Sequence, residues 1–292
     1  MVLCAGYGTR LRPLTDELPK PLLPFGDRSF LGHALAALGA AGFAEVVVNV
    51  HHLREAFERC LPELGGAVRL VHEPVIRGTA GGIAGARPWL GPAPVIALIG
   101  DVVLERVPPG FAESAEFGGL TLAVAPRAAG NGTVGIGERG QVVRLRGELF
   151  EEEVHGGDYV GLCALGDVAL AALPEQGCLV ADYALPLLRR GGEVRTFRFT
   201  DGYVLPGDDL RSYWQSQLAW LRERKQAHFV GPDVALTAGI ELVESLLGPG
   251  VVVSGEGRLE RVVALPLARV QAPLVDAIVA PSGRIIRMLS NG

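Results

Sequence analysis

The sequence predicts an α/β protein with a mainly parallel sheet, followed by a short β-helical tail. Three observations support this fold class. Short apolar, β-branched runs alternate with helical repeats between residues 1 and 101, which is typical of βαβ units. After residue 120 the pattern changes to short consecutive strands. From residue 228 onward an aliphatic residue recurs about every six positions, which indicates stacked β-coils.

The first segment has the alternation of strands and helices that a parallel sheet requires. Strands are predicted at residues 1–5, 45–50, 67–71 and 94–100. Helices are predicted between them, at residues 30–41, 53–64 and 79–90. Gly42 follows the first helix at the position that C-cap glycines prefer. Because parallel strands need long crossover connections, this order predicts a sheet covered by helices on both faces.

The second segment is expected to complete the sheet and to supply the far wall of a cleft. Its strands are predicted at residues 120–125, 132–136 and 142–146. A helix at 179–190 and a strand at 193–199 follow. The helix predicted at 209–227 carries Trp214 and Trp220, which we expect to pack against the tail rather than to stack on a base.

The tail carries the hexad pattern. Its aliphatic residues open successive hexads, with a one-residue slip after the third, at Val230, Leu236, Leu242, Leu247, Val253, Leu259 and Leu265. These side chains are expected to point inward, as in a hexapeptide β-helix. The predicted domain boundaries are therefore 1–227 for an α/β domain and 228–292 for the tail.

Composition and charge exclude several classes of protein. Apolar residues make up 49% and charged residues 20%, which is an ordinary globular balance. The formal charge is −5 and there is no basic block, so we expect no nucleic-acid partner. No apolar run reaches the roughly 18 residues of a membrane helix, so we expect no membrane partner. The four cysteines are dispersed, which favours a cytoplasmic protein with free thiols over a disulfide framework.

The candidate chemistry begins at a glycine turn. Gly6 and Gly8 follow the first predicted strand, where bare backbone amides can face an anion. Arg10 and Arg12 come directly after, and Lys20 lies between two prolines in an extended loop. Arginine clamps phosphate oxygens in a bidentate manner, whereas lysine acts as a point charge. The short segment from 6 to 20 therefore predicts a phosphate-binding loop.

Residues 3–24, which include this loop, resemble the signature of sugar-1-phosphate nucleotidyltransferases, in particular mannose-1-phosphate guanylyltransferases and related nucleotide-sugar pyrophosphorylases. Weaker similarity continues at residues 49–52, 73–82, 100–101 and 158–161. The resemblance implies a Rossmann-like nucleotidyltransferase domain with an appended left-handed hexapeptide-repeat β-helix. It also implies a reaction in which a sugar 1-phosphate attacks the α-phosphorus of a nucleoside triphosphate and pyrophosphate leaves.

The resemblance further implies roles for individual residues. Arg10 would bind the leaving pyrophosphate and Lys20 would neutralise charge between the phosphate groups, as the catalytic residues. Asp101 would hold Mg²⁺. Asp201 is the candidate for a second ligand, because a strand with a period of two returns it to the same face as Tyr203, the residue at the family's position. Substrate-binding roles fall on the triphosphate loop, the base and ribose loop and the sugar-side strand, at Gly6, Gly8, Thr9, Glu73, Gly78, Thr79, Gly81 and Gly161.

The chain departs from the family pattern at the metal and sugar sites. Tyr203 stands where a second metal carboxylate is usual, with Asp201 two residues earlier and Asp208 five later. A Glu-Lys-Pro segment is also missing, so Arg144 or Arg146 is a candidate for the sugar phosphate. The glutamates at 151–153 are expected to form a solvated turn.

Two rivals to the enzyme therefore stay open. One is a catalytically impaired paralogue that binds nucleotide sugar as a sensor or regulatory subunit. The other is an acyltransferase that uses the β-helical tail, which would need more coils and a trimer. A homo-oligomer is possible in each case, because a few coils need a cap from the catalytic domain or another subunit.

Overall fold

The computed structural model describes residues 1–64, 67–92 and 94–288. The chain forms two compact units. The first comprises Met1–Gly6 and Ala34–Leu205, and the second comprises Tyr7–His33 together with the described residues from Pro206 onward.

The helices and strands are numbered in chain order. The α-helices are α1 (Leu14–Glu17), α2 (Phe30–Ala40), α3 (Arg54–Leu64), α4 (Gly78–Ala86), α5 (Asp167–Ala172), α6 (Leu185–Arg189) and α7 (Leu210–Glu223). The strands are β1 (Val2–Leu3), β2 (Pro24–Phe25), β3 (Arg28–Ser29), β4 (Glu45–Val50), β5 (Ala67–His72), β6 (Val95–Ile99), β7 (Val103–Leu104), β8 (Leu120–Arg127), β9 (Val134–Ile136), β10 (Val142–Leu145), β11 (Glu148–Leu149), β12 (His155–Leu165), β13 (Val194–Arg198), β14 (Tyr203–Val204), β15 (His228–Val230), β16 (Ala235–Leu236), β17 (Ile240–Val243), β18 (Ser245–Leu247), β19 (Val252–Ala264), β20 (Arg269–Val279) and β21 (Ile285–Arg287).

The first unit is built on a mixed sheet with a parallel core. Its main path runs β11-β10-β9-β12-β6-β1-β4-β5; off this path, β8 pairs with β12 and β13 pairs with β8. Strands β6, β1, β4 and β5 pair in parallel, as the alternating pattern predicts. Strand β12 pairs antiparallel with β6, β8 and β9, and so joins the parallel core to the consecutive strands of the second segment. This joining strand is not among the strands that the residue pattern alone predicts.

The centre of the parallel core, formed by β1, β4 and β6, is mostly buried because most of its residues are β-branched or aliphatic. Val2, Val48 and Leu98, on three neighbouring strands, are all fully buried. The burial extends to Leu162 on β12. Continuous apolar strands of this kind are typical of sheets with both faces covered. The core thereby holds the carboxyl ends of β1 and β6 in fixed positions.

The predicted helices form, and two of them differ from the prediction in their bounds or helix type. The helix predicted at 79–90 is α4, which ends at Ala86 and passes into a 3₁₀ turn at Arg87–Trp89 that contains a proline. The helix predicted at 179–190 begins as a π-helix at Leu179–Ala184 and continues as α6. Pro186 lies in the first turn of α6, where its missing N–H is tolerated.

In the second unit the tail strands pair mainly in parallel. His228 lies opposite Ser245 and Val252 lies opposite Arg269, an offset of 17 residues at both positions. After an irregularity between Gly255 and Leu259, the offset between β19 and β20 is 15 residues, with Leu259 opposite Leu274.

Four of the seven hexad-opening residues are buried, as expected for inward-pointing side chains: Leu247, Val253, Leu259 and Leu265. The prediction is wrong for Val230 and Leu236, which lie on the first strands of the tail and are 39% and 41% exposed.

Helix α7 joins the loop that precedes it to the tail within the same unit. Asp209 caps the helix, because its carboxylate accepts a hydrogen bond from the Ser212 backbone N–H at 2.8 Å. The indole of Trp214 donates to the carbonyl of Arg261 at 2.8 Å. Trp220 packs edge-on against Phe229, with ring centroids 5.7 Å apart. Both tryptophans pack on the tail, as predicted.

Within the described ranges 1–64, 67–92 and 94–288, no helix has the length and apolar character needed to cross a membrane.

Candidate functional site

The glycine turn is held by contacts within the second unit. Gly8 has a φ of +62°, and a Cβ there would lie 2.9 Å from the Thr15 side chain and 3.1 Å from Cβ of Lys20. The Thr15 hydroxyl donates to the carbonyl oxygen of Gly8 at 2.9 Å. Thr9, the next residue, is exposed and opens the 3₁₀ turn Thr9–Leu11. Glycine at position 8 is therefore required by both backbone conformation and close packing.

Gly6, at the end of the first segment of unit one, differs from Gly8. A Cβ at Gly6 would meet no atom within 4 Å. Packing against the protein therefore does not require glycine at this position. Open space beside a bare backbone is what a ligand approaching the main chain needs.

The two cations of the loop meet at one carboxylate. Arg10 Nη1 lies 2.5 Å from Oδ2 of Asp208, and Lys20 Nζ lies 3.2 Å from Oδ1 of the same residue. The Lys20 side chain is only 10% exposed, whereas those of Arg10 and Asp208 are 68% and 54% exposed. The structure thus brings together the two predicted catalytic residues in an arrangement that holds an anion. Asp208 is part of this arrangement, a role that the residue pattern did not indicate.

Asp101 lies where a parallel strand ends. It follows β6, and the preceding Gly100 donates its N–H to the carbonyl of Leu3 at 2.9 Å. The pKa of the Cys4 thiol is raised, mainly by burial and additionally by the negative charge of Asp101. Asp101 itself is half-buried. Its carboxylate is a hard oxygen donor at the edge of the sheet where ligands of open α/β folds bind.

Asp201 lies in the turn that precedes β14. Strand β14 pairs antiparallel with β7, so that Tyr203 is opposite Leu104. Asp201 pairs with Arg106 at 2.5 Å, and this carboxylate is 68% exposed. The pKa of Tyr203 is raised, chiefly by burial. The tyrosine in the usual carboxylate position therefore lies half-buried beside a carboxylate that already has a cationic partner.

Described residues of the chain contain no group of three or more His, Cys, Asp or Glu suited to a metal. Mg²⁺ does not need such a group, because it commonly takes one or two carboxylates together with water and substrate phosphates. Asp101 fits that requirement. Asp201 fits it only if it leaves Arg106.

Glu73 is buried and bonded within the first unit. Its Oε1 accepts a hydrogen bond from Asn49 Nδ2 at 2.7 Å, and its Oε2 accepts one from the Arg77 backbone N–H at 3.0 Å. Asn49 in turn accepts from the Cys4 backbone N–H at 2.9 Å. Glu73 and Asn49 are 3% and 2% exposed. Glu73 therefore fixes the end of β4 and the entry to α4, a role that the residue pattern did not indicate.

The other predicted residues of this loop pack against residues 175–179. A Cβ at Gly78 would lie 2.5 Å from the carbonyl oxygen of Gly177, and one at Gly81 would lie 2.7 Å from that of Glu175. The Thr79 hydroxyl accepts a hydrogen bond from the Leu179 backbone N–H at 2.7 Å. These glycines allow a close approach between two protein segments.

Gly161 marks an irregularity in β12. Its φ is +82°, and the register with β8 shifts between Tyr159 and Cys163. A Cβ at Gly161 would lie 3.0 Å from Val102, the residue directly after Asp101. The bulge therefore packs against the turn that carries Asp101.

The two arginines considered for a sugar phosphate differ in their bonding. Arg144 donates to Glu153 at 2.6 Å and to the carbonyl oxygens of Gly132 and Asn131, both at 3.1 Å. Arg146 is exposed. The Glu153 side chain is only 10% exposed, so the prediction of a solvated turn at 151–153 is wrong for this residue. The arginine partner nine positions earlier, in a different strand, is the physical reason.

A glycine turn followed by two cations that share one carboxylate is typical of proteins that bind phosphorylated ligands. Residues 1–146, half of the chain, match the nucleotidyl transferase family. The protein therefore belongs to that family.

Individual relatives agree with this assignment. An N-acetylmuramate alpha-1-phosphate uridylyltransferase from Neisseria meningitidis is 43% identical over 110 residues, 36% of this chain and 47% of that protein. A mannose-1-phosphate guanylyltransferase catalytic subunit beta from Danio rerio is 40% identical over 111 residues, 36% of this chain and 31% of the relative. These alignments thus span less than half the length of either curated relative.

The fold also matches solved structures. HddC from Yersinia pseudotuberculosis superposes with a TM-score of 0.62 at 18% identity, over 75% of this chain and 97% of that one. At that identity the match establishes the shared mixed α/β fold with its parallel-rich sheet, and no more.

Proposed function

We propose that the protein transfers a nucleotidyl group from a nucleoside triphosphate to a sugar 1-phosphate, giving a nucleotide sugar and pyrophosphate. The observation that carries the proposal is the meeting of Arg10 and Lys20 at one carboxylate beside the strained Gly8 turn. Two cations fixed within hydrogen-bond distance of the same anion match the charge of a polyphosphate.

The reaction would rely on positioning and charge neutralisation. A phosphate oxygen of the sugar 1-phosphate attacks the α-phosphorus, and the bond from that phosphorus to the pyrophosphate oxygen breaks. Gly6, Gly8 and Thr9 would offer backbone amides to the triphosphate, and Arg10 would hold the departing pyrophosphate. Lys20 would neutralise charge between the phosphate groups. Charge that develops on the leaving oxygens is thereby met by groups already in place.

Asp101 would hold Mg²⁺ through its carboxylate. The ion would supply Lewis-acid neutralisation of phosphate oxygens. Asp201 is proposed as a second ligand only if it exchanges Arg106 for the ion, since the two side chains are paired at 2.5 Å.

Base and sugar recognition would fall on the first unit. The loop with Gly78, Thr79 and Gly81 would line the base and ribose, and Gly161 would lie on the sugar side. Glu73 would act there by holding the loop, since both of its carboxylate oxygens accept hydrogen bonds from the protein.

The tail is proposed to be a short left-handed hexapeptide-repeat β-helix that occupies residues 228–292, after a catalytic domain at 1–227. Parallel ladders with a constant offset of 17 residues, in the pairs β15–β18, β16–β19, β17–β19 and β18–β19, support successive coils. The cytoplasmic location and the homo-oligomer remain predictions from the sequence.

The test is pyrophosphate release in the presence of Mg²⁺. The names of the relatives suggest two substrate pairs to try first: UTP with N-acetylmuramate 1-phosphate, and GTP with mannose 1-phosphate. The remaining triphosphates with common hexose 1-phosphates complete the matrix. Release that requires both substrates supports the proposal, and no release with any pair contradicts it.

A second candidate is a sensor that binds nucleotide sugar without turnover. The pairing of Asp201 with Arg106, next to a tyrosine in the usual carboxylate position, favours it. Stabilisation by a nucleotide sugar in a thermal-shift assay, without pyrophosphate release from any substrate pair, would decide for the sensor.

A further inference from the structure

Asp208 supplies a carboxylate that contacts both Arg10 and Lys20. Its two carboxylate oxygens are divided between the cations, with Oδ2 on Arg10 at 2.5 Å and Oδ1 on Lys20 at 3.2 Å. The partners are 198 and 188 residues away in the sequence, so the contact is a product of the fold. A phosphate group would need the same two donors.

The loop that carries Asp208 is firmly held on its helix side. Gly207 has a φ of +88°, and a Cβ there would lie 2.3 Å from the side chain of Ser212. Asp209 forms a capping box with Ser212: its carboxylate accepts at 2.8 Å, and its own N–H donates to the hydroxyl at 3.1 Å. Asp208 lies between these two constrained residues. Its carboxylate is thus presented to the cations by the start of α7.

The burial of Lys20 gives a physical reason for the nearby carboxylate of Asp208. The Lys20 side chain is 10% exposed, and a largely buried ammonium is costly unless an anion compensates its charge. Asp208 supplies part of that compensation when no phosphate is bound. When a polyphosphate binds, the carboxylate and the phosphate oxygens compete for the same N–H groups, and their like charges repel.

We infer that Asp208 is an internal counter-ion that competes with pyrophosphate and triphosphate for Arg10 and Lys20, and that it thereby promotes release of pyrophosphate. The inference rests on the proposed function, because it assumes that the two cations bind phosphate. It makes Asp208 a positioning residue, which acts through Arg10 and Lys20 and performs no chemical step itself.

The experiment measures binding of inorganic pyrophosphate to the full chain by calorimetry, at low ionic strength and without Mg²⁺. The variants Asp208→Asn and Asp208→Ser remove the charge in two ways, so that one can serve if the other fails to fold. Each should bind pyrophosphate about tenfold more tightly than wild type, since an opposing charge is removed. Each should also lose thermal stability without ligand, and regain more of it than wild type when pyrophosphate is added.

Two controls separate competition from general charge. Asp208→Glu keeps the charge and should stay close to the wild-type affinity. Glu58→Gln removes an exposed carboxylate on α3 that is paired with Arg54 at 2.7 Å, and should leave pyrophosphate binding within about twofold of wild type. A merely structural role for Asp208 would not tighten binding in the neutral variants.

The outcomes distinguish this inference from the proposed function. If wild type releases pyrophosphate from its substrates but the folded neutral variants bind pyrophosphate no more tightly, the counter-ion role is wrong and the proposed function stands. If wild type neither turns over nor binds pyrophosphate, both are wrong. Tighter binding in the neutral variants, with product inhibition at about tenfold lower pyrophosphate, supports the inference.

Discussion

The loop from Gly8 to Lys20 and the loop from Glu73 to Gly81 both carry predicted substrate-binding residues, yet they are constructed in opposite ways. In the first loop, charged groups converge on an exposed carboxylate of the same unit, at Asp208. In the second, the charged residue is buried and its oxygens accept hydrogen bonds from the protein. The first loop can exchange its anion for a ligand, whereas the second is fixed by its own contacts.

This difference predicts that substitutions in the first loop affect turnover and those in the second affect folding. Exposed ion pairs contribute at most about 1 kcal/mol to stability. A buried donor or acceptor without its partner costs about 1–3 kcal/mol. The two loops therefore respond differently to the same kind of change.

The largest effect is expected for Arg10→Ala. Turnover should fall by a factor of about 10²–10³, the range typical of losing one preorganised donor to developing charge. The free energy of unfolding should change by less than about 1 kcal/mol, because the Arg10 side chain is 68% exposed. Steady-state pyrophosphate release and denaturant unfolding measure the two quantities.

Arg54→Ala is the matched control for that change. It removes an exposed arginine of α3, outside the predicted phosphate-binding loop, that pairs with Glu58 at 2.7 Å. Equal losses of turnover in the two variants, or a loss of stability in Arg10→Ala as large as its loss of turnover, would contradict the assigned role.

Glu73→Ala should act mainly on stability. It leaves the Asn49 amide and the Arg77 N–H without their acceptor in a buried region, at a cost of about 2–4 kcal/mol. Denaturant unfolding of this variant and of Glu55→Ala, in the first turn of α3, gives the comparison. A stability loss no greater than in the α3 variant would refute the buried network as the reason for Glu73.

Gly161→Ala is expected to destabilise by about 1–2 kcal/mol, because a side chain at a φ of +82° is strained and its Cβ would approach Val102. Gly110→Ala measures the cost of the backbone conformation alone, since Gly110 has a φ of +76° and an added Cβ would meet no atom within 4 Å. The difference between the two unfolding free energies measures crowding at the bulge. A difference of zero would show that the contact with Val102 adds nothing.

The smallest effect concerns the segment that follows the first loop. Burial lowers the pKa of His33, whose Nε2 lies 2.9 Å from the carbonyl oxygen of Phe25. A lowered pKa in the folded state means that folding favours the neutral ring. The contribution of His33 to the free energy of unfolding is therefore fully present above pH 6.5 and is lost as the pH falls. Unfolding free energies at pH 7.5 and 5.5 should differ less in His33→Gln than in wild type, by under about 1 kcal/mol. An unchanged pH dependence would contradict this.

Much of the fold is predictable because its signals are local. The β-branched run at 45–50 is β4 with the same bounds, and the helix predicted at 209–227 is α7, which begins at Leu210 and ends at Glu223. The burial of Leu247 and Leu259 likewise follows from the hexad pattern. Periodicity and capping act within a few residues, so a single sequence displays them.

The partners of the charged residues could not be predicted in the same way. Asp208 meets Arg10 across 198 residues, and no spacing rule connects them. Glu153 was expected in a solvated turn, but a strand pairing places Arg144 beside it. Likewise, the sequence shows that Glu73 follows a strand, but only the fold shows that Asn49 and Arg77 already occupy its carboxylate.

The central claim is tested most directly by product analysis of the wild-type reaction with Mg²⁺, a nucleoside triphosphate and a sugar 1-phosphate. Phosphorus NMR and mass spectrometry should find nucleotide sugar and pyrophosphate in equal amounts, and neither product should form when the sugar 1-phosphate is left out. Triphosphate consumption that yields no nucleotide sugar, or no consumption with any substrate pair, would contradict the account.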